Sequence, residues 1–161
     1  SLPRGMGRLA HCRPVARPPS VSWMAEPPLA LKVLVLGGVL NLAFSFALGW
    51  VLSLHRTKDS IEPHRWLLVA HEVAMMEGMM LLGLAFASLF AKLPSWLATM
   101  GAVALVAGSV FQDLSGVVNW RRKTGDQFAE RSAGWVLASI NAVLNTAGLA
   151  IITAGVIRGL A

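Results

Sequence analysis

The sequence has no tyrosine, one cysteine and few charges, with 14% Asp, Glu, Lys and Arg against about 25% in a soluble domain. The lone Cys12 excludes a disulfide framework and the paired-cysteine attachment of c-type haem. So small a charged fraction, beside 55% hydrophobic residues, excludes a disordered chain and an ordinary soluble one. What is present instead is four apolar stretches, about 29–54, 66–91, 93–120 and 133–157. About 20 apolar residues suffice to cross a bilayer as a helix. The sequence therefore predicts an all-α integral membrane four-helix bundle over residues 24–161, with no room for a soluble domain beside it.

The net charge of +6 is not a nucleic-acid signal. Part of it comes from Arg4, Arg8, Arg13 and Arg17, which precede the first acid, Glu26. Residues 1–23 hold four prolines and no apolar periodicity, so this segment is expected to be a disordered, dispensable tail and Met24 a natural start. Most of the remaining basic residues flank the spans: Arg56, Lys58 and Arg65 in the first loop, and Arg121, Arg122, Lys123 and Arg131 in the third. The positive-inside rule puts those loops in the cytoplasm and both termini outside, in the inner membrane of a cell. The tail, if retained, argues for the opposite orientation.

Polar and small residues recur along each span. The first carries Gly37, Asn41, Ser45 and Gly49 at four-residue spacing. The third carries Ser109, Gln112, Ser115, Gly116 and Asn119, with Asp113 about 100° away, and the fourth Ala138, Asn141, Asn145 and Gly148. Small residues let helices approach and polar ones hydrogen-bond across the contact. Most such residues are expected to join helices.

The second span is different, because it holds His71, Glu72 and Glu77 in the run Leu67 to Met80. Ionisable groups at membrane depth cost roughly 2.5–3.5 kcal/mol on insertion scales, so they mark functional sites. His71 is read as a hydrogen-bonded bridge, a metal or haem ligand, or a proton carrier. Met75 and Gly78 share its face and would leave room for a flat cofactor. Glu77 is read as a structural partner of Asn41, Gln112 or a neighbouring subunit, as an acid, or as the coupling carboxylate of a small transporter. Polar groups all round this helix predict a central position, in contact with its own bundle and a second copy.

The stretch Ala70-His71, followed six residues later by Glu77-Gly78-Met79-Met80 and then by Ala85-Phe86, resembles the second span of the styrene oxide isomerases. In these small four-span membrane enzymes an Ala-His pair is followed, six residues on, by Asn-Gly-Met-Met. The resemblance is specific from Ala70 to Phe86. It implies a homotrimer with haem b at subunit interfaces and His71 as axial ligand. It also implies ferric iron acting as a Lewis acid that converts a small hydrophobic epoxide to a carbonyl compound. Glu77 stands where the family has Asn, and Asn119 falls on a family Asn. Ser115 falls on a family Tyr, and a family acid falls on Ala107, with Asp113 the nearest replacement. Glu77, Asp113, Ser115 and Asn119 are thus the expected catalytic residues. Two other readings stay open: a non-enzymatic haem-binding protein, and a cofactor-free proton-coupled transporter working through Glu77 and His71.

Overall fold

The computed structural model describes residues 27–59 and 64–161. The tail with Met24 and Cys12 lies outside the described residues. Four helices follow one another: α1 (Leu29–Asp59), α2 (Arg65–Ser88), α3 (Ser95–Arg121) and α4 (Ala133–Leu160). All four are long and apolar enough to cross a membrane, and no strand occurs among the described residues. The chain is a multi-pass, all-α membrane bundle.

Helix ends follow local chemistry. His64 precedes α2, and its side chain accepts from the Trp66 amide. Pro94 sits one residue before α3 with φ −56°, a geometry its ring imposes in advance of the helix. Ser132 caps α4 through a bond from the Trp135 amide. The expected second span to Ala91 stops at Ser88, because residues 89–94 turn and tie Lys92 N–H to the Gly155 oxygen at 3.0 Å.

The helices are not arranged as a symmetric square. The α1–α2 and α3–α4 hairpins are the two largest contacts, α3 also packs on both α1 and α2, and α1 and α4 do not meet. Within the bundle α3 is the most enclosed helix, and α2 also touches all three others. The reason is the small residues of α3: Gly101, Ala102, Gly108, Ser109 and Gly116 are all buried, which lets three neighbours approach. The outward side of α2 carries Glu72, Met76, Met79 and Phe86, all exposed.

Two apolar clusters close the bundle at its ends. One joins Leu34, Leu81, Ala85, Ala102, Leu105 and Ile152. The other joins Leu48, Leu52, Leu67 and Ala70, with Trp120 against it. Between them lies a layer to which every helix contributes polar side chains: Asn41 and Ser45, His71 and Glu77, Ser109 and Asp113, Asn141 and Asn145. Glu77 is near the middle of α2, and His71 is six residues nearer its start.

Candidate functional site

Successive residues at four-residue spacing drift about 40° around a helix, so the small seam of α1 swings from one neighbour to the next. Gly37 faces Val106 of α3, and Asn41 donates to Ser109 Oγ at 3.0 Å. Further along, Ser45 and Gly49 face His71 of α2.

The His71 environment fixes its tautomer. Nδ1 lies 2.8 Å from the backbone oxygen of Ser45 and 3.1 Å from its Oγ. The Ser45 hydroxyl donates to the His71 carbonyl at 2.9 Å. A carbonyl oxygen can only accept, so Nδ1 carries the proton and Nε2 presents a lone pair. That pattern, a backbone carbonyl holding the far ring nitrogen, is the usual support of a metal-ligating histidine.

Beside the ring is a cavity of about 280 Å³ lined by Gly49, Leu52, Ser53, Arg56, Leu68 and His71. A second hollow, lined by Phe46, Gly49, Trp50 and Ser53, shares its Gly49–Ser53 wall. Phe46 and Trp50 are 72% and 73% exposed, so the combined groove faces outward, apolar beside Phe46, Trp50, Leu52 and Leu68 and polar at Ser53 and Arg56. A β-carbon on Gly49 would stand 3.3 Å from His71 Cε1. The space next to the ring depends on that glycine.

Met75, one turn beyond His71, is 42% exposed on the outer side of α2. Gly78 is buried and serves a different purpose from the one expected. It meets Gly38 and Leu42 of α1, so it holds the helices together instead of making room for a cofactor.

Glu77 lies in the bundle interior, 8% exposed. It interacts with Asp113 of α3 and the Asn145 side chain of α4, neither of them among the partners expected from sequence. Gln112 instead accepts from Asn141 at 2.9 Å, and Asn141 accepts from Asn145 at 2.6 Å. Glu77 Oε2, Asp113 Oδ1, Asn41 Oδ1 and Asn145 Oδ1 have no hydrogen-bond partner. The two acids are thus brought together with unused oxygens in an otherwise hydrogen-bonded layer.

Ser115 and Asn119 are not part of this layer or of the groove. Ser115 Oγ donates to the Gly134 oxygen at 2.6 Å. Asn119, fully buried, donates to Gln127 Oε1 at 2.9 Å and accepts from Ser132 Oγ at 2.8 Å. They fasten the end of α3 to the third loop and to the start of α4, which removes the physical basis for expecting them in a catalytic pocket.

Ser45, Gly49, Ser53 and Arg56 were missing from the sequence-derived site. Ser45 and Gly49 belong to a visible seam, but nothing in one sequence pairs that seam with His71. Among the described residues no three His, Cys, Asp or Glu side chains form a group able to hold a metal ion, so a ligand set of several protein side chains does not arise there. No family model matches the chain, and neither does any curated protein or solved structure.

Proposed function

We propose that the chain is a haem b protein of the inner membrane, with His71 Nε2 as axial ligand, and that it acts as an isomerase resembling styrene oxide isomerase. The observation that carries this reading is the Ser45 carbonyl on His71 Nδ1, which in the neutral ring leaves Nε2 with its lone pair, on a residue that lines a groove with Gly49, Leu52 and Leu68. The residues suit the group. A planar macrocycle needs one imidazole, apolar flanks and a gap beside the ring, and His71, Leu68, Leu52 and Gly49 supply them. Haem b, when bound, supplies Lewis acidity toward an epoxide oxygen in a redox-neutral conversion of an epoxide to a carbonyl compound.

The protein's own contribution is to hold and to exclude. Ser45 orients the imidazole, and the surrounding apolar side chains keep water from the reacting centre. The outward position of the groove and the exposed face of α2 favour an assembly in which a second copy covers them, a homotrimer on the family resemblance. A small hydrophobic substrate would reach such a site from the bilayer. Glu77 and Asp113 lie in the bundle interior and do not line this groove.

A second reading rests on a separate observation. Two acids meeting in the interior with unpartnered oxygens suit a small proton-coupled transporter without cofactor.

One experiment divides the two. The full chain, purified in mild detergent and supplied with hemin, is expected to show a Soret band. His71→Ala is expected to lose the band while keeping the wild-type oligomer in native mass spectrometry. A wild-type chain that takes up no hemin overturns the haem reading and leaves the transporter.

A further inference from the structure

Among the described residues Arg56 is the charged side chain in the wall of the His71 groove, and its position relative to the ring is informative. Gly49 is the α1 residue against the imidazole. Arg56 lies seven residues further along the same helix, about 10 Å by the helical rise. Ser53 lies between them on the same wall. Arg56 is exposed and in the last turn of α1, which ends at Asp59, so it stands at the end of the span. From the imidazole outward the groove therefore runs from apolar to cationic.

A ligand suited to that gradient is flat and apolar over most of its area, with an anionic edge. Haem b has this form, with two carboxylates on one edge of the ring. A carboxylate left in hydrocarbon costs several kcal/mol, so that edge must turn to the nearer membrane face. His71 is six residues from the start of α2 at Arg65 and seventeen from its end at Ser88, so the nearer face is the one where α1 ends and α2 begins. Arg56 is on that face. A guanidinium is also the side chain whose fork matches a carboxylate with two parallel hydrogen bonds.

We infer that Arg56 is the carboxylate-binding residue of the His71 groove, and that it turns both porphyrin carboxylates toward the membrane face between α1 and α2. The inference rests on the haem reading, and it adds an orientation and a charge requirement to it. Arg56 does not ligate iron; it selects a ring that carries carboxylates and sets which edge leads.

The test compares hemin with its dimethyl ester, which keeps the ring and iron but lacks both negative charges. Full-length wild type, Arg56→Gln and Arg56→Lys are titrated with each in detergent, following the Soret band. Wild type is expected to bind hemin about tenfold or more tighter than the ester, the range of a charge-assisted bond. Arg56→Gln should bind both equally, at the ester's affinity, with an unshifted Soret maximum because His71 is untouched. Arg56→Lys should recover part of the preference as a point charge without the fork. Equal binding of hemin and ester by wild type, or full hemin affinity in Arg56→Gln, overturns the inference while leaving haem binding in place. Failure of wild type to bind either compound overturns the haem reading itself, and the inference with it.

Discussion

Gly38 of α1 and Gly78 of α2 face each other so closely that a β-carbon on Gly38 would stand 2.9 Å from the Gly78 oxygen, and one on Gly78 would stand 3.0 Å from the Gly38 oxygen. Backbone is in contact with backbone at this point. Such proximity sets the separation of the two helices and, a few residues away, the alignment of Ser45 with His71. Either Gly38→Val or Gly78→Val must force the hairpin apart, and the overpacking cost is about 1–3 kcal/mol. Thermal melts in detergent are expected to shift down in both variants, and hemin affinity should fall with them. Gly83→Ala is the control, because a β-carbon there meets nothing within 4 Å; it should be neutral or gain up to about 1 kcal/mol from helix propensity.

Substitution of Gly49 separates the groove from the fold. Its β-carbon would lie 3.3 Å from His71 Cε1, a contact that asks the ring to yield slightly, and a larger side chain would occupy the groove. Gly49→Leu is expected to melt near wild type, since the groove faces outward, and to lose hemin binding by at least about tenfold. Ser45→Ala is expected to behave in the opposite way. It removes the hydroxyl bond to the His71 carbonyl, costing about 1 kcal/mol, but the Ser45 backbone oxygen still holds Nδ1. Hemin binding should survive. A Ser45→Ala chain that loses hemin at wild-type stability would show that the hydroxyl, not the carbonyl, governs the ring.

The fold was legible because hydrophobic length alone specifies spans. His71 and Glu77 were legible as sites for one reason: ionisable side chains are costly in hydrocarbon. Their partners were not. Which seam faces which helix depends on the central placement of α3, and that follows from packing of small residues too similar among the spans to rank from sequence. Ser115 and Asn119 show the opposite failure. Their alignment with family positions suggested a pocket, whereas Gln127 and Ser132 of the third loop take up the bonds of Asn119 and the Gly134 carbonyl that of Ser115.

Asn119 should accordingly behave as a structural residue. Asn119→Ala takes the donor from Gln127 Oε1 and the acceptor from the Ser132 hydroxyl, and opens space beside Gly134. Breaking buried hydrogen bonds in this way costs about 1–3 kcal/mol. Melting temperature is expected to drop while hemin affinity and the Soret maximum stay at wild-type values. If stability were unchanged and activity on an aryl epoxide vanished, Asn119 would belong to the substrate pocket after all.

Glu77 carries the sharpest test of what the interior layer does. It stands where the styrene oxide isomerases have Asn, it is buried, and one carboxyl oxygen has no hydrogen-bond partner. Asp113 and Asn145 border it, so a neutral amide in its place keeps the hydrogen-bonding character and removes the acid. Glu77→Asn is expected to fold and to bind hemin as wild type does, because His71 and its groove lie between α1 and α2. For an epoxide isomerase, this variant should retain or increase conversion of an aryl epoxide to its carbonyl product, as the restored family residue implies. If Glu77 is the working acid of a different haem-dependent reaction, the native activity should disappear while the Soret band persists. A proton-coupled transporter would instead lose substrate-driven proton movement in vesicles and show no Soret band in either protein. Wild-type behaviour in all three assays would leave Glu77 as a hydrogen-bonding partner of α4, stabilising the bundle without entering its chemistry.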